Sequence, residues 1–160
     1  MNAADAIKLG IETSSMICLG YLKDLSDEDW LRRPCAGCNH INWQVGHLIV
    51  SEHNLIEKAV PGSMPALPTG MAEKYTKETA ASDDPKSFAT KAELMQAYEQ
   101  QRAGTLAALA KQSDADLDKA SGLEYAPTNA ALFGLQASHW LMHSGQWVVV
   151  RRQLGRPPLF

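Results

Sequence analysis

Two histidines, His139 and His143, stand four residues apart in a stretch whose apolar spacing predicts a helix. Four residues advance a helix by about 400°, so both rings leave one face a turn apart, where two imidazoles can grip one divalent ion such as zinc. Ordinary surface or core pairs share this spacing. The surroundings favour the ion. Leu132, Gln136, Gln146 and Val150 lie on the same face, an apolar stripe with polar interruptions bracketing the histidines. A core tolerates such groups only when they are paired or coordinated. A third ligand must come from another helix, and His47 is the best placed: Trp43, His47, Val50 and Asn54 share one face of a second helix, and Gly46 beside it admits a close helix approach. His40 lies on that face too, but about two turns away, too far along the axis for the same tetrahedral site. His53 is turned by about 240° from His47, toward solvent or the following connection.

Three neutral imidazoles leave a divalent ion with an open position, which separates catalytic from structural zinc. Water activated there suits hydrolysis; a thiol activated there suits thiol transfer. The sequence offers no sure general base, since Glu52 lies about 140° around the helix from His47 and Gln146 cannot act as one. The rival reading is a non-catalytic, stress-associated metal-binding protein in which the ion clips the second helix to the fourth. A second motif, Cys35-Ala36-Gly37-Cys38, lacks the partner pair of a structural zinc site and the βαβ setting of a thioredoxin-like one. It reads as a loop entering a helix, where the helix dipole makes Cys38 somewhat reactive. Trp43, Trp140 and Trp147 fall at core positions, the last two flanking the proposed site.

Four long helices must position these residues. Residues 3–23 carry Ile7, Ile11, Ser14, Cys18 and Leu22 as one amphipathic stripe. Ser26 caps a short acidic turn that Pro34 ends. Asn39 reads as the cap of a helix over residues 40–60, stopped by Pro61-Gly62. Residues 61–89 hold four of the eight prolines and form a long crossover with a short helix near 71–75. Thr90-Lys91-Ala92-Glu93 is a capping box opening a helix to about Gln112, and residues 113–119 form a short turn. The last helix opens near Thr128 and runs to Leu154, where Gly155 and Pro157-Pro158 end it. Strand alternation is nowhere convincing. These elements specify an all-α four-helix bundle with a long crossover between the second and third long helices, one domain over 160 residues.

Composition narrows the function. Lys and Arg number 15 against 18 Asp and Glu, a net charge of -3 that argues against nucleic acid as a partner. No run of about 20 apolar residues provides a membrane span. The first eleven residues lack an apolar signal core, and three cysteines cannot all pair, so a cytoplasmic protein is expected.

The segments Asn42-Trp43-Gln44-Val45-Gly46-His47-Leu48 and His139-x3-His143-x-Gly145-Gln146, with Arg32-Arg33-Pro34 and the closing Arg152-Gln153-Leu154-Gly155-Arg156-Pro157-Pro158, resemble the DinB-like superfamily, including its YfiT-like bundles. The resemblance spans nearly the whole chain. It implies a four-helix bundle with an up-down-down-up course and a homodimer. It also implies a three-histidine site for zinc or nickel, which falls on His47, His139 and His143. Characterised relatives include transferases and isomerases that activate a low-molecular-weight thiol, so the implied partner is a small-molecule substrate of that kind. The family's closing motif often reads His-Arg-Gly-Gln; Ser144 stands in the arginine's place here.

Overall fold

The computed structural model describes residues 1–159. Four long helices dominate it: α1 (Ala3–Leu22), α3 (Ile41–Ala59), α5 (Lys91–Leu109) and α7 (Asn129–Gln153). Between them lie short helices α2 (Asp27–Trp30), α4 (Met71–Lys74) and α6 (Asp114–Leu117), a 3-10 turn at Pro85–Ser87 and a hairpin of β1 (Ala120–Leu123) and β2 (Ala126–Thr128). The chain is mostly helical, as the periodicity predicts. The hairpin is a difference: it pairs Ala120 with Thr128 and Leu123 with Ala126, strands too short to show the alternation by which a strand is read.

Helix starts follow local chemistry. Asn2 and Asp5, Ser26 and Asp29, Thr90 and Glu93, and Ser113 and Asp116 each form a reciprocal capping box, while Thr128 caps α7. The Lys91 ammonium, at the start of α5, donates to the Leu22 carbonyl (3.1 Å) and to that of Leu25. It thereby adds a second donor to the last carbonyl of α1, which also accepts from the Leu25 amide. The cap of α3 falls one residue later than expected. His40, not Asn39, holds that position, its Nδ1 accepting from the Trp43 amide at 3.0 Å.

An accepting Nδ1 requires a neutral ring. His40 is fully buried, and burial first, with Arg33 nearby second, depresses its pKa to about 4. In the unfolded chain it returns to about 6.5. Because the unfolded state takes the proton first, this contribution to stability is complete above pH 6.5 and is lost as pH falls through 4. Linkage puts the loss between pH 7 and pH 5 at about 2 kcal/mol. His40→Asn, which keeps a capping side chain, is expected to flatten the pH dependence of the urea midpoint over that interval; an unchanged slope would contradict the assignment.

In packing, α1 lies against α7, and α3 lies against both α5 and α7. Two apolar clusters result. One gathers Cys18, Leu48, Tyr98 and Trp140; the other gathers Ile11, Ile56, Leu109 and Phe133. Each long helix contributes to both, and between those contributions each carries a buried polar side chain: Ser14, Glu52, Arg102 and Gln136. Along each helix this polar layer divides the core. Its centre is the Glu52 carboxylate, which takes hydrogen bonds from Arg102 Nη2 (2.9 Å), Thr105 Oγ1 (2.7 Å) and Trp140 Nε1 (3.2 Å).

Candidate metal centre

The crossover between α3 and α5 builds one wall of the site. Trp43 Nε1 donates to the Thr76 carbonyl and to Thr79 Oγ1, both at 3.1 Å. The Tyr75 hydroxyl donates to Asn42 Oδ1 (3.2 Å) and accepts from the Ala89 amide (3.0 Å). Asn42 Nδ2 donates to the Ala89 carbonyl (2.7 Å). The crossover is therefore strapped to the first turns of α3. Gly46 does admit a close approach, but of a side chain rather than of a helix: a Cβ there would lie 2.3 Å from the Tyr75 ring. Since the Tyr75 hydroxyl is pinned, the ring cannot swing clear. Gly46→Ala is expected to destabilise the fold by about 1–3 kcal/mol through overpacking, read as a lower urea midpoint. Gly145→Ala, where a Cβ meets open space inside α7, is the control and should leave the midpoint unchanged or raise it, by up to about 1 kcal/mol of helix propensity.

The structure brings His47, from α3, together with His139 and His143, from α7. Ring centroids are 5.4 Å apart for His47 and His139, 5.8 Å for His47 and His143, and 5.1 Å for the α7 pair. One nitrogen from each ring lies within 4.8 Å of the others, a group able to hold a metal ion. The indole of Trp43 stacks on His47 at 5.0 Å with planes 4° apart, which restrains that ring. All three rings are half-buried. Burial depresses the pKa of His47, and burial followed by the neighbouring rings depresses His139 and His143 to about 4. At neutral pH all three are uncharged, the form that binds a metal.

Gln44 decides the tautomer of His143. Its Oε1 accepts from Trp147 Nε1 (2.9 Å), a group that only donates, and its Nε2 donates to the Asn39 carbonyl (2.6 Å), a group that only accepts. The orientation of the amide follows from these two partners. His143 Nδ1 sits 3.1 Å from the same Oε1 and must donate to it. Nε2 of His143 is left with its lone pair, as happens in a ligating histidine whose other ring nitrogen donates to a fixed acceptor. Gln146 Oε1 accepts the other Gln44 Nε2 proton at 3.0 Å, so the polar interruptions flanking the histidines are paired, as burial demands.

The remaining candidates lie elsewhere. His40 caps α3. His53 faces α5, its Nδ1 3.0 Å from Gln101 Oε1. Glu52 belongs to the polar layer, where burial raises its pKa against the opposing effects of Arg102, Thr105 and Trp140. Ser144 is buried and donates to the Leu141 carbonyl. Near the end of α7, Arg151 is 2% exposed and bonded to the Tyr21 carbonyl and Asp24. Sequence reasoning missed Gln44 and Tyr75. Gln44 carried a usable signal, lying three residues before His47 on the same face; Tyr75 carried none.

Asn39, Trp43, His47, Tyr75, Lys77 and His143 border an open cleft of about 610 Å³, so the rings of His47 and His143 are reachable from solvent. Among the described residues, no fourth His, Cys, Asp or Glu joins the cluster. Three neutral donors, one with its tautomer set and none with a competing acid beside it, fit a divalent ion with a position left open.

Comparison with known proteins adds one finding. The model of the DinB superfamily matches residues 11–147. No curated protein and no solved structure matches the chain.

Proposed function

The chain belongs to the DinB superfamily, and from that premise we propose that it is a metal-dependent enzyme of the thiol transferase type, its zinc or nickel ion held by His47, His139 and His143. The observation that carries this reading is the Gln44 amide, whose contact with His143 Nδ1 leaves His143 Nε2 a lone pair beside two other uncharged rings. When bound, the ion would supply a Lewis-acid position that lowers the pKa of a small acidic group, a thiol above all. The protein would supply the rest: Trp43 and Gln44 hold the rings, and the strapped crossover with Tyr75 and Lys77 walls a cleft sized for a small molecule. The open cleft favours this reading over a structural clip, which would close the ion's shell.

The same proposal takes the four long helices as one up-down-down-up bundle domain over residues 1–160, working in the cytoplasm where such thiols are kept reduced. It takes the protein as a homodimer, supported by Leu141, Met142 and Val149, exposed along α7. Among the described residues, no helix is long and apolar enough to cross a membrane.

The test is metal analysis followed by a transfer screen across glutathione, bacillithiol and mycothiol. One ion per chain and thiol consumption with one of them are expected. Gln44→Ala should weaken metal binding by about 10–100-fold, the usual cost of losing the acceptor that orients a ligating histidine. Metal binding without transfer to any acceptor would favour the clip. Light scattering at a monomer mass of 17.5 kDa would count against the dimer.

A further inference from the structure

The cysteine pair left unexplained by the histidine site has a geometry of its own. The Cys38 amide donates to the Cys35 carbonyl at 3.1 Å, closing a four-residue turn. Its third residue, Gly37, has φ +79°, the positive φ that a type II turn places there. A β-turn holds its first and fourth Cα atoms within about 7 Å, close to the span that a disulfide bridges. Within this turn the two Sγ atoms stand 2.6 Å apart, both cysteines free. Cys35 is exposed and Cys38 half-buried, whereas Cys18 is buried in the core.

The turn is anchored from outside. Arg33 Nη1 donates to the Cys38 carbonyl (2.7 Å) and Nη2 to the Ser82 carbonyl (3.0 Å), while both reach the Ala80 carbonyl at 3.1 Å. Exchange at the sulfurs therefore need not disturb the helices. Gly37 borders an open groove of about 400 Å³ that shares Asn39, Lys77 and Ala80 with the histidine cleft, so a small molecule can reach the turn from solvent.

We propose that Cys35 and Cys38 form a second reactive site, a dithiol whose substrate is a low-molecular-weight disulfide. The exposed Cys35 gives up its proton and its sulfur attacks one sulfur of the disulfide. The Cys35–substrate bond forms, the substrate's S–S bond breaks, and the departing thiolate takes up a proton. Cys38, deprotonated in turn, attacks Cys35 Sγ; the intramolecular disulfide forms and the second thiol leaves. The chain loses two electrons and two protons, and the substrate gains both, released as two thiols. This site involves no metal, so it stands or falls apart from the histidine reading.

The test uses the full-length protein, stripped of metal by chelation, in buffers of graded oxidised to reduced glutathione. Acid quenching, alkylation and peptide mass mapping follow. In wild type, the two alkylatable thiols of Cys35 and Cys38 should disappear together, with no retained glutathione and with Cys18 still reduced. Cys38→Ser should stop at one glutathione on Cys35, because the resolving thiol is gone. Cys35→Ser should react at least tenfold more slowly through the half-buried Cys38. Circular dichroism of both variants confirms that they fold. A wild type that keeps three thiols under oxidising buffer, or that accumulates glutathione on Cys35 without closing, would overturn the proposal.

Discussion

Saturating zinc or nickel is expected to raise the melting temperature of the wild-type protein, and His143→Ala to abolish most of that rise. An ion that binds only the folded state at a hundred times its Kd adds about 2.7 kcal/mol. In a chain of this size that amounts to roughly 5–11 °C. The loss should be this large because His143 is the ring whose tautomer Gln44 sets and because it stands beside both other rings. His53→Ala is the control: its ring faces Gln101 rather than the cluster, and the metal-linked rise should persist. The sign with pH follows from the depressed pKa values. His139 and His143 lose their protons near pH 4 in the folded state, against about 6.5 when unfolded. The metal-linked rise depends only on affinity for the folded protein, where protons compete with the ion for these rings, so it persists below pH 6.5 and is lost as pH falls through about 4. Thermal scans with and without metal at pH 7.5, 6 and 4 read this directly. Equal shifts for wild type and His143→Ala would show that the ion binds elsewhere.

The second large effect is expected at Glu52, far from solvent and from any cleft. Glu52→Gln keeps the shape of the side chain but leaves Arg102 buried without a counter-charge, its guanidinium over the rings of Tyr98 and Trp140 at 5.4 and 5.5 Å. Removing one partner of a buried pair costs about 3–5 kcal/mol. The pair is short of partners even in the wild type, since Arg102 Nε and Nη1 find no hydrogen-bond acceptor among the described residues. The double variant Glu52→Gln/Arg102→Met removes the stranded charge together with those two unsatisfied donors, and it should recover part of the lost stability. Urea denaturation of the four proteins in this cycle gives the coupling energy. A fully additive double variant would mean that the two groups do not hold each other.

Local chemistry was legible in the sequence wherever the partner lay within a few residues. The Ser26 cap, the Thr90 capping box, the helix start near Thr128 and, apart from the half-buried Ile7, the stripe of Ile7, Ile11, Ser14, Cys18 and Leu22 stand as read, because one turn of helix sets which residues meet. The i, i+4 pair His139 and His143 was legible for the same reason, and a ring on the right face of a second helix singled out His47. The cap of α3 was misplaced by one residue. Asn39 and His40 both offer an acceptor, and burial of His40 against Phe88 at 4.8 Å decides between them. The hairpin at Ala120–Thr128 was missed because strands of three and four residues are too short for alternation to show.

What only the tertiary structure decided are the contacts between residues distant in the chain. Gly46 signalled a close approach, but the approaching group is Tyr75, carried in by a crossover whose path no local periodicity specifies. Gln44 reads as one more polar residue on a helix until folding brings Trp147 and His143, about a hundred residues later, to its single carbonyl oxygen. Glu52 reads only as a carboxylate turned about 140° from His47 until Arg102, Thr105 and Trp140 converge on it. A side chain's type and helical phase are properties of a few neighbouring residues. Its tautomer, charge and hydrogen-bond partners are properties of the packed interior, where every polar atom must find a partner that the local chain does not supply.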